Sequence, residues 1–219
     1  MGIENENYVP DTAADQLHQV LSRKLCEGEF MPGERVSIRA IATQHELSVI
    51  PVRDAIRRLV AEGGLRFADS RTIEVPKLSM ANHRDVLFSR IQLEPEAAAR
   101  AFDNLTQADL KELVRLDGHV NAAIRDGDLT LYMKSNFAFH FLIYRRSGAP
   151  TILRLIEILW LQYGPSMRLI SGQYGASALA DDYHRHATDA LSRQDCEGFV
   201  RAIRADITQG MEFIRVADH

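Results

Sequence analysis

The chain has 219 residues, of which 46% are hydrophobic and 26% charged, and its formal net charge is -4. This composition is typical of a globular protein, and two cysteines are too few for a disulfide-stapled chain. The N-terminus is acidic and polar, unlike a signal peptide, and the longest apolar stretch, 151–163, is too short to span a bilayer. We therefore expect a cytoplasmic protein that does not associate with membranes.

Residues 1–77 predict three short helices followed by a hairpin. Apolar residues recur at helical spacing between Asp11 and Gly28, Ser37 is placed to cap a second helix, and Ser48 opens a third. The segments 65–67 and 72–75 are typical of two strands joined by a turn. This order of elements predicts a winged helix-turn-helix domain.

The third helix of this domain is the second helix of the helix-turn-helix motif. We expect it to read DNA, because the second helix of such a motif enters the major groove. We expect the backbone N–H of Ser48 to bind a phosphate and Arg53 to contact a base or a phosphate. Arg39 on the preceding helix and Arg71 at the tip of the wing are placed for contacts with the DNA backbone or the minor groove. The alternative is that these arginines form an ordinary solvated surface.

Residues 78–219 predict an antiparallel bundle of six to seven helices, so the protein as a whole is mainly α. The connections between the helices are short and contain the residues that usually break helices. The periodicity places the helices at 80–103, 106–126, 129–147, 150–163, 174–193 and 196–215.

Several polar residues interrupt the apolar faces of these predicted helices, namely Arg90, Asn136, His140, His184 and Asp206. A buried unpaired carboxylate is costly, so Asp206 should have a partner inside the bundle. If the residues converge, they form one polar centre, in which Arg90 is suited to hold a carboxylate by paired hydrogen bonds. The alternative for any one of them is a hydrogen-bonded core residue without a further role.

The first domain resembles the DNA-binding domain of the GntR family of bacterial regulators over about residues 11–77. The resemblance rests on Gly28-Glu-Phe-Met-Pro-Gly-Glu-Arg, Arg39-Ala-Ile-Ala and Ser48-Val-Ile-Pro-Val-Arg-Asp-Ala-Ile-Arg-Arg-Leu. The family's usual sequence at this last motif is Ser-Arg-Thr-Pro-Val-Arg-Glu-Ala-Leu. Val49 and Ile50 therefore replace two residues that normally touch DNA. Both side chains can pack on a thymine methyl group but cannot hydrogen-bond a base.

The second domain resembles FCD, the all-helical ligand-binding domain of the FadR branch of GntR regulators. The resemblance covers most of residues 80–215 and rests on Arg90-Ile-Gln-Leu-Glu-Pro-Glu, on Phe139-His140 with Ser147-Gly, and on Ala190-Leu-Ser-Arg-Gln-Asp. Many members bind a divalent metal at positions that correspond to Asn136, His140, His184 and Asp206. The resemblance thus implies a site for Zn, Ni, Mn or Fe. Asn136 stands where the family has aspartate and Asp206 where it has histidine, which should weaken the site.

Together the two domains predict a ligand-responsive transcriptional regulator, a repressor, that senses a small carboxylate through Arg90, Asn136, His140 and His184. Helix-turn-helix proteins commonly read two half-sites with two-fold symmetry, so we expect a homodimer on an inverted-repeat operator. Two alternatives stay open at this point. One is a metal-dependent helical-bundle enzyme, and the other is a bundle that binds a protein partner and has no pocket.

Overall fold

The computed structural model describes residues 12–69, 72–170 and 182–217. The N-terminal part has a three-helix core and a small antiparallel sheet in which β3 lies between β1 and β2. Its elements are α1 (Ala13–Cys26), β1 (Arg35–Val36), α2 (Ile38–Gln44), α3 (Val49–Ala61), β2 (Arg66–Phe67) and β3 (Ile73–Glu74).

Local sequence explains where these helices begin. Thr12 and Asp15 form a capping box at α1, and the Ser37 hydroxyl accepts a hydrogen bond from the backbone of α2. The turn between α2 and α3 places Glu46 in the left-handed region with φ 54°, a conformation that a turn this tight requires. β1 was not predicted, because a two-residue strand has no periodicity and forms only through pairing with β3.

The C-terminal part contains six α-helices within the described residues, which confirms the mainly α class. They are α4 (Met80–Ala101), α5 (Gln107–Asp126), α6 (Leu129–Arg145), α7 (Pro150–Tyr163), α8 (Tyr183–Ser192) and α9 (Cys196–Ala217). Short 3-10 segments follow α4 and α7. α8 forms the second half of the predicted helix 174–193, whose residues 174–181 lie outside the described residues. The predicted boundary after residue 77 falls between β3 and α4.

Helix packing places α7 between the two parts of the molecule. α4 packs against α9 and α7, α5 against α6, and α8 against α9, while α7 also contacts α1. The backbone at Gly164, just after α7, lies very close to the end of α1. A Cβ atom at Gly164 would lie 2.7 Å from the Leu25 carbonyl oxygen, so only glycine fits there. Within the described residues no helix combines the length and hydropathy needed to cross a membrane.

Candidate functional site

The predicted DNA-contacting residues that the structure describes, Arg39, Ser48, Val49, Ile50 and Arg53, are all exposed. Ser48 caps α3 without a side-chain hydrogen bond to the helix, which leaves its hydroxyl uncommitted to capping. Ile50 is 73% exposed and Val49 is 39% exposed, so both aliphatic side chains are accessible at the start of α3. Arg71 lies outside the described residues.

The arginines of this domain differ in their partners. Arg57 and Arg58 face carboxylates, those of Asp54 and Asp15 respectively. Arg39 and Arg53 have no such ion pair within the described part of the chain. An arginine without an internal partner is available to a phosphate or a base edge, and Arg53 lies close to the start of α3.

Inside the bundle, His140 from α6, His184 from α8 and Asp206 from α9 converge on one point. The Nε2 atom of His140 lies 3.0 Å from Asp206 Oδ2 and 3.4 Å from His184 Nε2. His184 Nε2 lies 3.6 Å from Asp206 Oδ1, and both histidines are buried. Ligand atoms of a tetrahedral zinc site, with bonds of about 2.0–2.1 Å, lie about 3.3 Å apart, so these spacings suit a common cation.

The hydrogen bonds around His140 indicate which ring nitrogen faces this point. Tyr144 donates its hydroxyl hydrogen to Glu94 at 2.6 Å, so its oxygen is free to accept one from His140 Nδ1 at 3.0 Å. With Nδ1 protonated, Nε2 of the neutral ring has only a lone pair to offer. That lone pair lies beside a carboxylate oxygen and the Nε2 atom of His184, where it can accept a hydrogen bond from the His184 ring or bind a metal ion.

Burial and charge set the ionisation of the other two groups. Burial lowers the pKa of His184 to about 4, although Asp206 acts in the opposite direction. Burial also opposes ionisation of Asp206, but its neighbours His184, His140 and Arg90 hold its pKa at about 2. Around neutral pH the centre therefore offers a neutral imidazole and a carboxylate, which are the forms that bind metals.

Asn136 and Asp117 lie beside this centre in different ways. Asn136 is buried one turn before His140 on α6, where it could add an amide oxygen. The His184 Nδ1 atom has no hydrogen-bond partner, and Oδ1 of Asp117 lies 3.9 Å away. Burial and the neighbouring Asp182 raise the pKa of Asp117 to about 7. Asp117 was not predicted from the sequence, because it belongs to α5 and nothing in its local pattern distinguishes it.

Arg90 is 2% exposed, and its carboxylate partner is Glu94, one turn later on α4. Arg90 Nε lies 2.5 Å and Nη2 3.2 Å from the two oxygens of Glu94. The sequence analysis missed Glu94 as a site residue, although the four-residue spacing after Arg90 was a usable signal. The guanidinium also lies over the rings of Tyr163 and Trp160, at 4.1 and 5.0 Å from their centroids.

Beside His184 Nδ1, two buried hydrogen-bond groups around Arg90 have no partner among the described residues: Arg90 Nη1 and Trp160 Nε1. The Trp160 ring links them to the cluster, because its centroid is 5.5 Å from that of His140. Unpaired buried polar groups are costly and rare, and several in one region favour a site for a polar ligand.

An exposed helix-turn-helix joined to a helical bundle with a buried polar centre defines a two-domain DNA-binding transcriptional regulator. Comparison with known families agrees, since residues 13–75 match the bacterial regulatory proteins of the gntR family and residues 85–209 match the FCD domain. The chain belongs to the GntR family and carries an FCD domain.

Similar proteins are regulators as well. The HTH-type transcriptional regulator McbR of Escherichia coli K12 is 32% identical over 197 residues, which are 89% of this chain and 88% of McbR. The HTH-type transcriptional repressor RspR of the same organism is 22% identical, covering 98% of this chain and 94% of RspR. The solved structure of E. coli McbR/YncC has a TM-score of 0.85 at 28% identity, covering 95% of this chain and 99% of that one. These relatives make the protein a regulator rather than an enzyme.

Proposed function

We propose that this regulator binds a divalent metal through His140, His184 and Asp206, with Asn136 as a fourth donor. The convergence of two ring nitrogens and a carboxylate oxygen on one point carries this proposal. Two neutral imidazoles and a carboxylate suit Zn²⁺, Ni²⁺, Mn²⁺ or Fe²⁺. When bound, the metal would supply a positive charge that the surrounding protein does not neutralise, because Asp206 is the single carboxylate of the donor set.

The effector is a small carboxylate that binds beside this centre. An anion there would be attracted by the metal, and Arg90 Nη1 and Trp160 Nε1 would donate hydrogen bonds to it. Arg90 is buried away from bulk water and already holds Glu94 through Nε and Nη2, so the effector would share this guanidinium with Glu94. The donors select a ligand with several acceptor oxygens.

The chain's single tryptophan provides the assay, because Trp160 adjoins His140. Protein stripped with a chelator would be titrated with Zn²⁺, Ni²⁺ and Mn²⁺ while tryptophan fluorescence and bound metal are measured, and native mass spectrometry would identify co-purified ligands. We expect one metal ion per chain in the wild type and none in His140→Ala. His186→Ala is the matched control, since His186 is exposed two residues after His184. Equal metal content in wild type and His140→Ala would refute the site.

For the DNA, we propose that a homodimer represses transcription from an inverted-repeat operator, with α3 in the major groove. One relative is named a repressor, and helix-turn-helix dimers read two-fold symmetric sites. Exposed Val49 and Ile50 should prefer thymine at the positions that they face. Selection from random duplexes together with sedimentation of the protein–DNA complex tests both points; a monomer bound to an asymmetric site would contradict them.

A further inference from the structure

A cleft of about 400 Å³ lies where the DNA-binding domain meets the bundle. From α1 it is lined by His18, Ser22 and Cys26, and from α6 by Phe137, Phe141 and Arg145. Both sets are spaced four residues apart, so each presents one face of its helix to the cleft. α7 forms the third wall. The volume lies within the range of small-molecule sites, roughly 300–1,000 Å³.

The walls of the cleft combine two aromatic rings with polar groups, among them the ion pair of His18 with Glu62 and the Ser22 hydroxyl. The Phe137 and Phe141 rings are 4.2 Å apart and both are buried. Burial raises the pKa of the Cys26 thiol well above its usual value, so this side chain is a neutral part of the wall. The Ser22 hydroxyl is buried and has no hydrogen-bond partner within the described residues. Such a group favours a ligand with a polar atom, since an unpaired buried hydroxyl is costly.

The mouth of the cleft carries one uncommitted positive charge. Arg145 lies over the Phe141 ring at 5.5 Å from its centroid, is exposed, and has no carboxylate partner in the described part of the chain. The other two arginines of the cleft, Arg23 and Arg154, are each paired with a glutamate. A ligand therefore meets the rings of Phe137 and Phe141 beside charged groups that are already paired, and at the entrance a guanidinium that is not.

We propose that this cleft is a second ligand site, separate from the polar centre, which binds a small aromatic monocarboxylate. The aromatic body packs beside Phe137 and Phe141, and the carboxylate pairs with Arg145. Because α1 belongs to the DNA-binding domain and α6 to the bundle, a ligand here contacts both domains. It therefore stabilises their present arrangement and shifts the affinity for DNA.

The test uses the full chain with benzoate and 1-naphthoate as probes, titrated by calorimetry into wild type and variants whose fold is checked by circular dichroism. We expect Arg145→Gln to weaken binding about tenfold, the effect of losing one charged hydrogen bond. Ser22→Leu should abolish binding because it fills the cleft. Arg125→Gln, an exposed arginine at the end of α5, is the matched control and should bind like the wild type.

His140→Ala separates this site from the metal centre: metal content should fall while affinity for 1-naphthoate stays unchanged. Failure to bind either probe at millimolar concentration would overturn the proposal. So would equal affinities of wild type, Arg145→Gln and Ser22→Leu, or loss of binding in His140→Ala alone, which would place the probe inside the bundle. None of these outcomes bears on metal binding by the centre itself, which is measured independently.

Discussion

Replacing Glu94 by glutamine tests whether the buried ion pair supports the polar centre. Glu94 is fully buried and accepts hydrogen bonds from Arg90 Nε at 2.5 Å, Arg90 Nη2 at 3.2 Å and the Tyr144 hydroxyl at 2.6 Å. Glutamine preserves the shape of the side chain but removes its charge. Its NH₂ group would also face donors, so at least one buried donor loses its acceptor.

The expected cost is about 3–5 kcal/mol of unfolding free energy, the usual effect of leaving one buried charge without its partner. It would be measured by urea denaturation followed by circular dichroism. A second readout is metal affinity, which should fall about 10–100-fold because Tyr144 no longer orients His140 as firmly.

The double variant Arg90→Met/Glu94→Leu provides the control, since it removes both charges and keeps apolar bulk. A buried ion pair replaced by packed apolar residues often costs little, so the double variant should be more stable than Glu94→Gln. The reasoning is refuted if Glu94→Gln costs less than about 1 kcal/mol, or if the double variant is equally unstable.

Three further predictions concern other parts of the molecule. Arg53→Ala should weaken operator binding by about 1–3 kcal/mol. Arg57→Ala should weaken it less, because Asp54 already holds that side chain. Both are measured by titrating an operator fragment, and wild-type affinity of Arg53→Ala would contradict the assignment. Asn136→Asp should tighten metal binding, because it adds a second carboxylate to the donor set. Metal affinity is measured by competition with a chelator, and unchanged affinity would remove Asn136 from the donor set. Asp109, whose pKa is lowered from 3.8 to about 2 mainly by Arg146, stabilises the fold above pH 4 and loses that contribution as the pH falls towards 2. Asp109→Asn should therefore lower the free energy of unfolding by about 1–2 kcal/mol at pH 7 and make it depend less on pH in the acid range. An unchanged pH dependence in that range would argue against the pair of Asp109 with Arg146.

The sequence was sufficient to predict the features that local patterns encode. Helix starts follow capping residues such as Ser37, and His140, His184 and Asp206 stood out because each interrupts an apolar stripe. Residues that break such a stripe must be satisfied in a shared interior, which is why three of them meet. The order of helices and strands was enough to predict the helix-turn-helix itself, and the assignment of α3 as its DNA-reading helix stays a prediction.

Features that depend on distant contacts could not be predicted in this way. An arginine and a glutamate four residues apart usually form a surface pair, and only the packing of α4 shows that Arg90 and Glu94 are buried. The pair Glu62 and Arg154 is separated by 92 residues and lies across the two domains. No periodicity in either helix indicates that these two side chains meet.

The joint between the domains gives a physical reason for expecting the bundle to influence the DNA-reading helix. Two side chains of α7 hold Glu62, the C-terminal cap of α3: Arg154 binds its carboxylate and Gln162 donates to its carbonyl oxygen. The same helix carries Trp160, which packs on both His140 and Arg90. α7 is therefore a continuous rigid element with the polar centre at one contact and the end of α3 at another. A ligand that displaces Trp160 by moving α7 would also shift the contacts of this helix with Glu62. By linkage, operator DNA must then change the affinity for that ligand by the same factor by which the ligand changes the affinity for DNA.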